Sequence, residues 1–325
     1  MIDYPPRMDL ARTPTPIERL ERFEKSRGLP GELWVKRDDL TGLGLSGNKI
    51  RKLEFLLADA RAKGATAVVT CGGVQSNHAR ATALAAAQLG LKCTLILRKV
   101  DDSVPELAGN LLLDRLAGAR VRWVTRAEYS ARREALLDEE VRRFEAAGER
   151  GYAITEGGSD AVGSWGYVRA LEEILAQDSR WDAIGFATGS GGTAAGLFHG
   201  RSLLRSRIPI VGFCVCDDAA FFERKVSGIV EKMGTPPEGL RFVDRYKGPG
   251  YAVPDEPTLE VIAQAARTTG LLLDPVYTGK AFLGTVEEIK KGTFGPAPRV
   301  LFIHTGGIFG TLAQAGAFTR VVQES

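Results

Sequence analysis

The chain has 325 residues, enough for about two domains of ordinary size and for a buried core that needs no disulfide or metal staple. Lys and Arg number 43 against 40 Asp and Glu, a net charge of +3, and that near-balance gives no electrostatic basis for binding nucleic acid or an anionic membrane. With 44% hydrophobic and 26% charged residues the composition excludes a disordered chain, and no apolar run is long enough to span a bilayer.

The opening residues, Met-Ile-Asp-Tyr-Pro-Pro-Arg, have no basic start leading into an apolar stretch, so no secretory signal and a cytoplasmic protein are expected. Apolar positions 50, 53, 56, 57 and 60 predict a helix, capped by Ser46 or Asn48, with Lys49 in its first turn. A strand over 67–70 and an Ala-rich helix over 77–89, closed by Gly90, follow. Next come a strand over 92–97, a helix over 105–117 with Pro105 at its start, a strand over 121–124 and a charged helix over 127–147 ended by Gly148. Apolar strands are predicted again over 183–187, 210–215 and 300–303.

This alternation indicates an α/β protein with mostly parallel sheets flanked by helices. The Pro- and Gly-rich stretch 234–257 is the longest irregular segment, the kind that forms functional or covering loops. Gly-rich turns at 43–47 and 157–158 look like two crossings between a middle subdomain and the rest. They imply a discontinuous large domain, 1–51 with 158–325, around a small one, 52–157. Cys71, Cys93, Cys214 and Cys216 lie in or beside apolar runs and read as free thiols of a reducing compartment. The Cys-x-Cys at 214 and 216 has no second pair nearby, so no metal is expected.

Ligands of parallel α/β folds collect at the carboxyl ends of strands, where helices begin, and four segments have that character. In Ser46-Gly47-Asn48-Lys49 the lysine sits at the positive end of a helix dipole, which favours the neutral amine that attacks carbonyls. Ser76, Asn77 and His78 open the next helix and form a natural seat for a carboxylate. Thr188, Gly189, Ser190, Gly191, Gly192 and Thr193 join a strand to a helix and can cradle a phosphate with successive amides and hydroxyls. The same turn fits the dinucleotide pattern G-x-G-x-x-A, with Asp217 or Asp218 after the following strand as a ribose ligand. Thr305, in His304-Thr305-Gly306-Gly307, can donate to a ring nitrogen or an anion.

Taken together these segments resemble the fold type II pyridoxal-phosphate enzymes of the tryptophan-synthase-β type, in particular the family of 1-aminocyclopropane-1-carboxylate (ACC) deaminase and D-cysteine desulfhydrase. The resemblance rests on Lys36-Arg37-Asp38-Asp39, on 46–53, 74–80 and 188–193, on Asp274-Pro275-Val276-Tyr277-Thr278-Gly279-Lys280, and on 304–307, all in family order. It implies a two-domain fold with pyridoxal 5'-phosphate between the domains, and a homodimer. Lys49 would bond to the cofactor's aldehyde carbon and later move the Cα proton. Residues 189–193, with Thr188 and Asn48 alongside, would hold the phosphate. Asn77 would lie beside the ring and the substrate carboxylate, with Ser76 near the reacting carbon and His78 beside them. Tyr277 and Tyr251 match active-site tyrosines, Tyr277 being a candidate acid, and Thr305 matches a polar group near the ring nitrogen.

One position separates the branches of this family. ACC deaminases follow Asp-Pro-Val-Tyr with a glutamate facing the ring nitrogen, where this chain has Thr278. A carboxylate keeps the ring protonated and strongly electron-withdrawing, as opening a cyclopropane demands. A neutral hydroxyl does not, and expelling a good leaving group from Cβ needs less. Thr278 therefore points to β-elimination on a small amino acid, D-cysteine first, giving pyruvate, ammonia and hydrogen sulfide. Cysteate with sulfite as leaving group, and ACC, are the alternatives within the family. A nicotinamide-dependent oxidoreductase built on the 189–194 turn would leave 46–53 and 75–78 without a purpose, and a binding protein would need no reactive amine.

Overall fold

The computed structural model describes residues 2–323. Ten strands run in chain order: β1 (Ile17–Arg19), β2 (Glu32–Lys36), β3 (Ala67–Gly73), β4 (Lys92–Arg98), β5 (Arg120–Val124), β6 (Gly151–Ala153), β7 (Ala183–Thr188), β8 (Ile210–Cys214), β9 (Phe242–Val243) and β10 (Arg299–Ile303). Around them lie α1 (Glu21–Arg27), α2 (Asn48–Ala62), α3 (Asn77–Gln88), α4 (Gly109–Leu116), α5 (Arg126–Ala146), α6 (Ala161–Gln177), α7 (Gly192–Leu203), α8 (Ala219–Lys232), α9 (Glu256–Thr269), α10 (Thr278–Lys290), α11 (Ile308–Leu312) and α12 (Thr319–Gln323).

The strands form two sheets, a six-stranded one in the order β1-β2-β10-β7-β8-β9 and a four-stranded one in the order β5-β4-β3-β6. Only the β1–β2 pair is antiparallel among the described residues. Both faces of the large sheet are covered, so its strands carry apolar side chains on both sides rather than alternating with polar ones. Val300 and Phe302 of β10 join Val211 and Phe213 of β8 in a core closed by α1, α9 and α10. Leu301 and Ile303 join Ile184 and Phe186 of β7 in a second core, closed by α6, α7 and α8. The small sheet repeats the pattern. Val68 packs with α2 and α3, while Val69, Cys71 and Ile96 pack on α5.

A buried ionic network ties α2 and α6 to the edge of the large sheet. Arg51 of α2 forks onto Asp38 (2.9 and 2.8 Å) and onto Glu173 of α6 (2.9 Å). Lys36 pairs with Glu173 from β2, and Tyr167 donates to Asp38 at 2.7 Å. Burial pushes the Glu173 carboxyl up, but hydrogen bonds and charge from Arg51 and Lys36 overcome this and bring it down to about 2. The conspicuous Lys36-Arg37-Asp38-Asp39 run is thus mainly structural.

Three sequence expectations are corrected. The helix expected from Pro105 starts at Gly109, because Ala108 is extended (φ −136°) and Gly109 itself has φ +54°. The long charged helix is broken at Arg132 (φ −143°). Neither Ser46 nor Asn48 caps α2. The cap is Gly47 at φ +96°, since Ser46 is taken by Arg80 and the Asn48 amide reaches Thr193.

Candidate active site

The C-terminal ends of β3, β4, β7 and β10 and the start of α2 open on one cleft, which is why the four singled-out turns meet. Lys49 is the second residue of α2 and half-buried. Its ammonium makes one long hydrogen bond, 3.5 Å to the Gly157 carbonyl. Burial lowers its pKa to about 8; Glu156 opposes the shift and the charge of Lys225 adds to it. One turn along the same face, Lys52 is completely buried and donates to the same carbonyl (3.2 Å) and to Ser159 Oγ (3.4 Å). Burial, then the charge of Lys49, holds Lys52 well below its usual value, and no carboxylate lies within salt-bridge distance of it among the described residues.

Opposite these amines lies the 189–193 turn. Gly191 has φ +95° and supplies no side-chain cap, so the first amides of α7 are left for another acceptor. Ser190 hydrogen-bonds Ser159 at 2.8 Å, and Thr193 accepts from the Asn48 amide at 3.1 Å. A Cβ on Gly192 would lie 2.8 Å from both Lys52 Nζ and Ser159 Oγ, so the glycine keeps this concavity open. Thr188 Oγ1 is buried with no partner among the described residues.

At the third turn Ser76 Oγ caps α3 by accepting from the Ala79 amide (3.1 Å). Gln75 and Asn110 brace it through the Asn110 amide to Gln75 Oε1 (2.8 Å) and Asn110 Nδ2 to Gln75 O (3.1 Å). Asn77 spends its carbonyl oxygen on Asn110 (3.1 Å), which leaves its NH2 group unspent. His78 does not turn its ring to this seat. The ring is buried against Thr70 Oγ1 (2.9 Å), and burial with the charges of Lys49 and Lys52 keeps it neutral. What His78 offers a carboxylate is its backbone N–H in the first turn of α3.

Tyr251 and Tyr277 share a 2.7 Å hydrogen bond between their hydroxyls, with Tyr277 against Gly189. Burial raises both phenols, so both are protonated at neutral pH. Tyr251 arrives on the 234–257 loop, which the buried Lys280 pins by donating to the carbonyls of Lys247 and Gly250, both at 2.7 Å. Thr278 is completely buried. Its hydroxyl donates to Asp274 Oδ1 (2.7 Å) and accepts the Asp274 amide (2.8 Å), which leaves only a lone pair for a ring nitrogen. Thr305 lies at the foot of the cleft, and its carbonyl accepts the Asn48 amide at 3.1 Å. There Gly47 and Gly306 meet backbone to backbone; a Cβ on Gly306 would lie 2.8 Å from Gly47 Cα.

These residues fit pyridoxal phosphate. The fully buried Lys52, without a salt-bridge partner and beside open helix amides, suits a phosphate, and the Lys49 amine at the same Gly157 carbonyl suits an aldehyde. Sequence reasoning missed Lys52, Ser159, Asn110 and Lys280. Lys52 carried a signal, three residues from Lys49 on one helical face. Lys280 stood in the Asp274–Lys280 run without a role of its own, and Ser159 and Asn110 reach the site from distant segments.

Comparison with known proteins agrees. A family model described as pyridoxal-phosphate dependent enzyme matches residues 8–306. A putative 1-aminocyclopropane-1-carboxylate deaminase of Thermotoga maritima is 46% identical over 95% of this chain and 98% of its own. The bifunctional D-cysteine desulfhydrase/1-aminocyclopropane-1-carboxylate deaminase, mitochondrial, of Arabidopsis thaliana is 43% identical over 93% of this chain and 78% of its own. The crystal structure of an ACC deaminase homologue superposes with a TM-score of 0.88 at 38% identity, over 98% of this chain and 96% of that one. Amine, anion cradle and sheet order therefore agree with a match spanning both sheets, and the chain belongs to the pyridoxal-phosphate-dependent enzyme family.

Proposed function

We propose that this enzyme eliminates the β substituent of a small amino acid, D-cysteine first, releasing pyruvate, ammonia and hydrogen sulfide. The observation that carries the reading is Lys49, a cleft amine lowered to about 8 and set between the 189–193 cradle and the Ser76–Asn77 turn. The Arabidopsis relative, named for both desulfhydration and ACC deamination, supports it. So does Thr278, a neutral group where a carboxylate would favour ring opening.

In this reading Lys52, Ser190, Thr193 and the first amides of α7 would hold the phosphate, and Lys49 would face the aldehyde. Bound there, the cofactor withdraws electrons from the substrate Cα. The substrate carboxylate sits on the α3 N-terminus, with Ser76 and the NH2 group of Asn77 donating. Lys49, whose burial favours the neutral amine, would take the Cα proton. The paired hydroxyls of Tyr251 and Tyr277, both protonated, supply a proton to the departing group.

The domain division at 1–51 with 158–325 and at 52–157 remains part of this proposal, with α2 as the joint. A homodimer does too. Leu43, Leu116 and Leu312 are 90%, 72% and 65% exposed. They lie on adjoining elements, as the Arg80 bond to Gly44 and its stacking on Phe309 show. No helix among the described residues is long and apolar enough to cross a membrane, and four unpaired thiols favour the cytoplasm.

The deciding experiment measures pyruvate release from D-cysteine, L-cysteine, cysteate and ACC in parallel, with wild type and Lys49→Ala. Sulfide and pyruvate from D-cysteine are expected, lost in the folded variant together with the cofactor's visible band. Ring opening of ACC as the sole activity, or turnover by Lys49→Ala, would overturn the reading.

A further inference from the structure

We propose that Lys225 is a second cofactor-anchoring lysine, an ammonium on α8 that acts with Lys52 to hold the phosphate as a dianion and so selects the phosphorylated cofactor over its dephosphorylated form. This rests on the anion cradle at the start of α7 and is the same whichever amino acid the enzyme takes.

Lys225 lies midway along α8, next to Val226, whose side chain belongs to the core that α8 closes. Its stem crosses the turn that opens α7. A Cβ on Gly191 would lie 3.8 Å from Lys225 Cδ and 3.4 Å from Val226 Cγ2, while one on Gly192 would lie 2.8 Å from Lys52 Nζ. Two lysines from different helices thus flank successive residues of one helix start, whose first amides have no side-chain cap. The charge of Lys225 reaches into the cleft, where it lowers the pKa of both Lys49 and Lys52.

That ammonium has no anion of its own. Lys225 is half-buried, and among the described residues it makes no hydrogen bond or ion pair; its ammonium lies over the ring of Phe221, one turn back, at 5.5 Å from the centroid. Lys36 and Lys280, also drawn in from solvent, are answered, the first by Glu173 and the second by two carbonyls. The carboxylates around Lys225 are committed elsewhere. Glu156 accepts from Tyr129 (2.7 Å) and Arg133 (2.9 Å), Asp218 caps α8 through the Phe221 amide (2.7 Å), and Asp217 takes the Cys216 thiol (3.1 Å).

The charges then balance. A phosphate monoester carries about −1.5 to −2 at neutral pH. The start of α7 offers roughly half a positive charge, and Lys52 adds at most one. A dianion leaves a deficit of about half a charge or more, and the unpaired ammonium beside the cradle is that of Lys225. Its four-carbon stem and three donors suit it to close on an oxygen that the amides leave free.

The test strips the cofactor from wild type, Lys225→Gln and Lys225→Arg. Each is titrated with pyridoxal phosphate and with pyridoxal, which lacks the phosphate, at about pH 9, where Lys49 is largely neutral, and the visible band is read. Calorimetry with inorganic phosphate on the stripped protein reads the cradle without the aldehyde. Expected in Lys225→Gln are a loss of at least about tenfold in affinity for pyridoxal phosphate and for inorganic phosphate, and a change below about threefold for pyridoxal. Lys225→Arg is expected to return to within about threefold of wild type. An unchanged Lys225→Gln, equal losses for the two aldehydes, or a Lys225→Arg no better than Lys225→Gln would each overturn the proposal, the second by confining Lys225 to the acidity of Lys49. None of these readouts involves substrate turnover, so a failure of the elimination reading leaves them unaffected.

Discussion

Removing the cofactor and offering it back exposes the central feature of the site, the acidity of Lys49. An ordinary lysine at 10.5 is neutral in only about one molecule in three thousand at pH 7; at about 8 the figure is about one in ten, roughly a 300-fold gain in reactive amine. The sign follows from the cause. Burial disfavours the ammonium, so the folded value falls below the free one and the amine is released at lower pH. Apoenzyme mixed with pyridoxal phosphate, from about pH 6 to about 10, is expected to gain its visible band at a rate that climbs about tenfold per unit and levels near pH 8. Referencing each rate to a free alkylamine removes the cofactor's own titrations. Glu156→Gln is expected to move the midpoint down, because Glu156 holds the ammonium, and Lys225→Met to move it up. A midpoint that stays near 10.5, or that ignores both substitutions, would refute the argument.

Thr278→Glu would bury a second carboxylate beside Asp274, and D-cysteine turnover is expected to fall about tenfold or more, read as kcat; an unchanged rate would remove weight from the ring-nitrogen argument. Lys280→Met frees the carbonyls of Lys247 and Gly250, and the loosened Tyr251 loop is expected to lower kcat while the cofactor's band and far-UV dichroism stay intact. Glu173 lies at about 2, below its ordinary 4.5, so it contributes stability that is complete above pH 4.5 and lost as pH falls toward 2. The full loss amounts to about 3 kcal/mol; acid melts of wild type and Glu173→Gln are expected to converge over that window.

The parts of this molecule legible in its sequence share one physical basis. A strand end, a glycine that permits a tight turn, and a helix start stand within a few residues of each other at 71–77, 188–193 and 303–308, so local patterning locates them. Lys49 was visible for the same reason, being local to the start of α2. Illegible were the groups whose placement depends on the fold closing. Arg98 drew no notice in the sequence, because the Tyr251 ring that stacks on it comes from a distant loop, and Ser159 reaches Ser190 across 31 positions of chain. Capping misled at Ser46 because a hydroxyl's local preference lost to the buried Arg80, which needed acceptors. Pro105 misled because proline tolerates a helix start but does not demand one.

The strand order of the large sheet has a consequence for biosynthesis. β10 is late in the chain yet lies between β2 and β7, and its exit turn brings Gly306 against Gly47. During translation the early antiparallel β1–β2 pair and the β7–β8–β9 block therefore wait as separate halves, each with an open edge. The amine at position 49 is seated only when the segment near 305 emerges. The bond from the Asn48 backbone amide to the Thr305 carbonyl, next to that amine, closes last, and cofactor loading is expected to follow chain release.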